Sequence, residues 1–157
     1  MKSKLILVIF LFSSGFMVKA QETNAGKTQV MLENQSRYSF SATVDTISKH
    51  ALANGWKVLV THDLQETMKK NGKEVMPVRV LEICNPGFAY QILSVDDSRN
   101  VSPMLPCRVA VYEKADGKTY VSRMNAPVFA GMIGGDAAKT IVGAFNAMEG
   151  FVDKVLN

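Results

Sequence analysis

The sequence is sparing with the residues that most often mark a site. It has two cysteines, two histidines and one tryptophan in 157 residues. No Cys-x-x-Cys, no His-x-x-x-His and no histidine-rich tract occurs, so no closely spaced zinc or dithiol motif is present. There is no Gly-x-Ser-x-Gly elbow and no paired-carboxylate motif, and two histidines leave little material for a triad. A hydrolase is therefore disfavoured, and no catalytic residue is assigned. Gly131-Met-Ile-Gly-Gly-Asp-Ala-Ala-Lys139-Thr140 imitates a phosphate loop but fails as one. No glycine precedes Lys139, and Asp136 puts a negative charge where phosphate would sit. Internal repeats and low-complexity tracts are lacking too. Beyond residue 20 no run approaches the ~20 apolar residues of a membrane span.

The one long apolar run lies at the start. Lys2 and Lys4 precede Leu5 to Phe12, and Val18-Lys-Ala20 ends in small residues at the −3 and −1 positions. This pattern predicts a signal peptide over residues 1–20, cleaved after Ala20, and a periplasmic or secreted protein. Gln21 at the new terminus excludes a lipid-anchored cysteine. Removing residues 1–20 takes three lysines and no acid, so the formal charge falls from +4 to +1. A nucleic-acid partner is disfavoured, because such binders need a clustered positive field. Residues 21–29 read as a flexible segment and 30–157 as one globular domain, large enough for its own core.

The periodicity predicts strands and helices in the order β-α-β-α-β-α-β-β-α, an α+β or mixed α/β domain with helices packed on a single mixed sheet. Val30–Phe40 reads as the first strand. Ser41 or Thr43 is placed to cap the helix that follows, which ends at Gly55. Trp56–Thr61 is the second strand. Asp63 and Glu66 form a capping-box-like start for a short helix. Val78–Cys84 is the third strand, and Asn85-Pro86 starts a helix with a side-chain cap followed by proline at its first position. A polar loop, Asp96 to Pro106, leads to a fourth strand at Arg108–Glu113. Asp116-Gly117 turns the chain into a fifth strand ending at Met124. Asp136 is expected to cap the last helix. The alternation at the front predicts parallel pairing of the second and third strands.

The candidate chemistry follows from that placement. Cys84 ends a strand one residue before a helix start, where amides and the helix dipole favour a thiolate. The plain alternative is a small apolar residue finishing a buried strand. Cys107 opens the fourth strand. The pair admits a disulfide closing a loop of roughly 23 residues, on the order of 3 kcal/mol in the chain-entropy model. It also admits a soft-metal site, or two unrelated thiols. With parallel pairing, His62 and Cys84 would share the sheet edge where open α/β sheets bind ligands. Cys84, Cys107 and His62 with a thioether, Met104 first and Met124 or Met76 after it, could then hold copper(I) or zinc. His50 falls on the polar side of the first helix.

The stretches "SFSATVDTISKHALANGWKVLVTHDLQETMKKNGKEV", "VRVLEICNPGFAYQIL" and "LPCRVAVYEKADGKTYVS" resemble the bacterial domain-of-unknown-function family numbered 302. Cys84-Asn85-Pro86 and Leu105-Pro106-Cys107 are the most specific marks, and the resemblance covers roughly Ser36 to Asn125. It implies a compact α/β domain, often a homodimer, without a settled activity. It also implies that the two cysteines belong to one recurring pattern and lie near each other.

The leading expectation is therefore an exported binding module for a small ligand or soft metal. Cys84 is its thiolate, the amides from Asn85 onward its anion donors, Cys107 its partner thiol and His62 a base or ligand. The rivals are a structural or dimer-forming protein with a Cys84–Cys107 disulfide, and a thiol-based redox or sulfur-transfer enzyme.

Overall fold

The computed structural model describes residues 29–157, so the expected leader and the segment following it to residue 28 lie outside the described residues. Five strands form one sheet: β1 (Met31–Gln35), β2 (Lys57–Asp63), β3 (Val78–Cys84), β4 (Cys107–Glu113) and β5 (Thr119–Met124). Their spatial order is β1-β5-β4-β3-β2, and every neighbouring pair is antiparallel. Five α-helices accompany them: α1 (Phe40–Ala53), α2 (Leu64–Lys70), α3 (Pro86–Leu93), α4 (Ala126–Ile133) and α5 (Gly135–Val152). The expectation of one sheet with helices packed on it holds. The parallel pairing of β2 with β3 does not. The connection between them is the short α2 and a few flanking residues, which returns the chain alongside itself, so the strands run in opposite directions.

Alternation assigns the two sheet faces. Leu81 and Ile83 of β3, Val109 and Val111 of β4 and Val121 of β5 are fully buried beneath the helices. Ile47 of α1 and Phe151 of α5 meet them in the core. Trp56, just before β2, packs its ring 6.1 Å from Phe88 and 5.6 Å from Phe151. Residues of the alternate set, such as Val80, Glu82, Ala110 and Tyr112, lie on the sheet's other face and are half-buried.

Several boundaries differ from expectation. The first strand stops at Gln35, not Phe40. Ser36 turns the chain by bonding Thr43 Oγ1 at 2.7 Å and donating to the Val155 carbonyl at 3.1 Å. Phe40 therefore starts α1, with Ser39 rather than Ser41 or Thr43 at the N-cap position. Asp136 does not cap α5. Gly134 occupies that position with φ 73°, and Asp136 sits in the first turn and pairs with Lys139 at 2.8 Å. Helix α4 is an addition to the expected order. Asn125-Ala126-Pro127 begins it as Asn85-Pro86 begins α3, although Asn125 makes no side-chain cap bond. The polar loop from Asp96 to Met104 is wound into 3-10 turns.

Candidate functional site

One end of the sheet gathers both cysteines and two of the methionines. β3 finishes there at Cys84, β4 begins at Cys107, β5 finishes at Met124 and β1 begins at Met31. Ile83 faces Cys107 across the β3–β4 ladder, so Cys84 lies one residue beyond the partner of Cys107. Proximity is as the resemblance implied, but the faces differ. Cys107 shares the helix-covered side with Val109 and Val111, whereas Cys84 continues the Val80–Glu82 set on the other side. Both cysteines are free thiols, and the Cys84–Cys107 bridge of the alternative reading is not formed.

Neither thiol is poised as a thiolate. Burial pushes the Cys84 thiol up, not down. Burial, and secondarily the charge of Cys84, push Cys107 up to about 11. The amides expected to stabilise an anion beside Cys84 are already used. Asn85 Oδ1 accepts from Gly87 N at 2.9 Å and from Phe88 N at 3.3 Å, which caps α3 from within. Asn85 is thus a helix cap, and the helix start offers those donors to its own side chain.

His62 is removed from the cysteines by the antiparallel turn. It faces Val80, while Cys84 faces Lys57 at the other end of β2. The separation along β3 is four residues, ~13 Å at about 3.3 Å per residue. Instead, His62 Nε2 lies 3.1 Å from Glu82 Oε1, and Arg108 Nη2 donates to the same oxygen at 2.9 Å. These two partners hold the Glu82 carboxyl below its usual range, His62 having the larger effect. The expected Cys84–Cys107–His62 ligand set therefore does not assemble. Among the described residues, no group of three His, Cys, Asp or Glu side chains could hold a metal ion.

A cavity of about 230 Å³ lies beside Cys107 and Met104, two members of the expected set, without Cys84 or His62 in its lining. Phe88 and Ile92 of α3 form one wall, and Ile141, Ala144, Phe145 and Met148 of α5 another. The segment Pro103–Arg108 closes a third side, and Met31 and Met124 stand at the strand ends. Local sequence explains this opening. Gly143 of α5 brings that helix so near α3 that a Cβ there would lie 3.3 Å from the Phe88 ring. The 3-10 turns end at Met104, and Leu105 before Pro106 is extended, which leads the chain straight into β4. Met104 and Met124 are at the cavity as anticipated. Met76 is exposed elsewhere, at 44%. Met31, Met148, Phe88, Phe145 and Arg108 were not anticipated. Met148 was legible only as part of an apolar helical stripe, which marks core and cavity wall alike.

Such an arrangement defines a class: a single-sheet α/β domain with an apolar, sulfur-lined cavity between its helices and one sheet end. The family model described as domain of unknown function DUF302 matches residues 32–155, and the chain belongs to that family. It is similar to the crystal structure of the uncharacterized conserved protein DUF302 from Bacillus stearothermophilus. The TM-score is 0.73 at 20% identity, covering 82% of this chain and 99% of that one. No curated protein matches the chain.

Proposed function

We propose that the protein is an exported module that binds a small, largely apolar ligand in the sheet-end cavity, with Cys107 in its wall. The observation that carries this reading is the lining. Thirteen of the fifteen lining residues are apolar; of the other two, Cys107 faces the helices, whereas the Arg108 side chain turns to the sheet's other face and bonds Glu82. An apolar cavity of roughly 150 Å³ stays dry and takes benzene or xenon. The present one, at about 230 Å³, is larger. Well-formed apolar pockets with a few convergent polar groups are where small ligands bind.

The test uses benzene as probe on protein recovered from the periplasm, where the leader predicts an N-terminus at Gln21. Benzene should raise the melting temperature and slow alkylation of Cys107 relative to Cys84. Ala144→Phe, which fills the cavity, should remove both effects. If benzene leaves the alkylation of Cys107 and the melting temperature unchanged, the binding reading fails.

A second reading of the same cavity rests on its sulfur. Met31, Met104, Met124, Met148 and Cys107 all line it, and thioethers with a thiol suit copper(I). Zinc suits the set less, since it favours imidazole, thiolate and carboxylate ligands. Elemental analysis of the same sample separates a metal-loaded protein from a ligand-loaded one. For partners, the sheet face opposite the core supports a homodimer, because Val80, Ala110 and Tyr112 lie there half-buried and outside the core cluster.

A further inference from the structure

We infer that the cavity takes an uncharged aromatic ligand, a ring carrying at most a short neutral substituent. This rests on the binding reading above and goes further by naming the ligand's class. Three observations lead to it.

First, no charged side chain faces the interior. Among the described residues, no Asp, Glu, Lys or His lines the cavity. The one cation at its rim, Arg108, turns to the sheet's other face, where Nη2 donates to Glu82 at 2.9 Å. The side chains that do face inward belong to the core or pack against it: Phe145 and Met148 in the first group, Phe88, Met104 and Cys107 in the second. An ion entering this space would lose its water and gain no counter-charge.

Second, the inward polar side chain is a single thiol. Cys107 opens β4 on the helix-covered side, and burial keeps it protonated at neutral pH. A thiol is a weak donor and a weak acceptor. It can meet a hydroxyl or the face of a ring, but it cannot replace the hydration of a charge.

Third, the walls suit a ring better than a saturated chain. Phe88 stands on α3 and Phe145 on α5, and Met104 and Met148 bring thioethers. Thioether sulfurs and aromatic rings both gain from contact with another ring beyond the area buried. Phe88 is held in place: its ring lies 6.1 Å from that of Trp56, and a Cβ on Gly143 would lie 3.3 Å from it. Phe145 has no aromatic partner among the described residues, so a ligand ring would be its first. The size agrees, since about 230 Å³ leaves room for a substituent beyond the benzene that roughly 150 Å³ accepts.

Benzyl alcohol, cyclohexylmethanol, benzylamine and benzoate are titrated by calorimetry at neutral pH, with Trp56 fluorescence as a second readout. Trp56 is the only tryptophan in the chain, and it touches the Phe88 wall. The two alcohols match in size, and burial of area alone would favour the saturated one. Benzyl alcohol should instead bind about fivefold more tightly than cyclohexylmethanol. It should bind at least tenfold more tightly than the benzylamine cation or the benzoate anion. Met104→Leu with Met148→Leu, which conserves volume, should abolish the preference between the alcohols and leave cyclohexylmethanol affinity unchanged. Arg108→Gln should alter none of the four affinities. Cyclohexylmethanol binding as tightly as benzyl alcohol would overturn the aromatic assignment while leaving the cavity reading intact. Either ion binding as tightly as benzyl alcohol would overturn the requirement for an uncharged ligand. A preference that survives in the double leucine variant would overturn the role of the thioethers. Failure of benzene and all four probes to bind would overturn both readings.

Discussion

Cys107 loses on both counts that set a thiol's ionisation: it is largely withdrawn from water, and Cys84, the charged group acting on it, is another sulfur. Its ionisation moves from an ordinary value of 9.0 to about 11. The folded state thus prefers the protonated thiol more strongly than the unfolded chain does. That contribution to stability is complete below about pH 9 and is lost as pH rises from 9 towards 11. Its size is on the order of 2–3 kcal/mol. Urea midpoints of the wild type should fall over that window relative to Cys107→Ala, whose curve should be flatter there. Parallel loss in both proteins would contradict the assignment. At residue scale the sequence displayed Cys84 and Cys107 plainly, yet it could not show the sign of their shifts. A helix start beside a cysteine favours a thiolate only if its amides are unoccupied, and the Asn85 side chain occupies two of them.

At the scale of elements, β5, β1 and α5 are tied by one buried cation. Arg123 is 4% exposed, and its guanidinium grips Glu149 through Nε at 2.7 Å and Nη2 at 2.6 Å. Its Nη1 donates to Asn34 Oδ1 at 2.6 Å. Removing one partner of a buried ion pair leaves an uncompensated charge in a low dielectric. Glu149→Ala should therefore cost about 3–5 kcal/mol by chemical denaturation. Arg123→Met combined with Glu149→Leu should recover most of that loss, since matched apolar replacements of buried pairs are often near neutral. A Glu149→Ala cost below 1 kcal/mol would show that water reaches the guanidinium. The elements themselves were largely visible in the sequence: Asn85-Pro86 announces α3, and Asp63 accepts from the Glu66 amide at 2.9 Å as its spacing suggests. Helix α4 was missed because its eight residues, with Gly131 inside and Gly134-Gly135 just after, are too short a run to display helical periodicity.

For the molecule as a whole, the described residues leave one sheet face outside the core cluster, in the manner of antiparallel sheets. Ala110 sits on the central strand of that face, opposite Val80 on one side and Ser122 on the other. If the face meets a second copy, Ala110→Arg should convert a dimer to a monomer in sedimentation equilibrium without lowering the melting temperature. A wild-type protein that stays monomeric at high concentration would remove the face as a self-contact. The cavity belongs to this scale too. Its walls come from α3, α5, the segment before β4 and the strand ends, and no local spacing links one wall to another.

By itself the sequence determined the identity of most elements, through apolar periodicity and the caps at Asn85 and Asp63, because those depend on neighbours within one helical turn or strand. It also set the placement of Cys107 at the start of a strand, after two prolines. Tertiary structure alone decided strand direction. That one choice carried His62 to the opposite end of β3 from Cys84 and opened an apolar cavity beside Cys107. Pairing direction depends on how the chain returns through α2, and cavity volume depends on how nearly α3 and α5 approach. Both are set by packing between residues far apart in the chain.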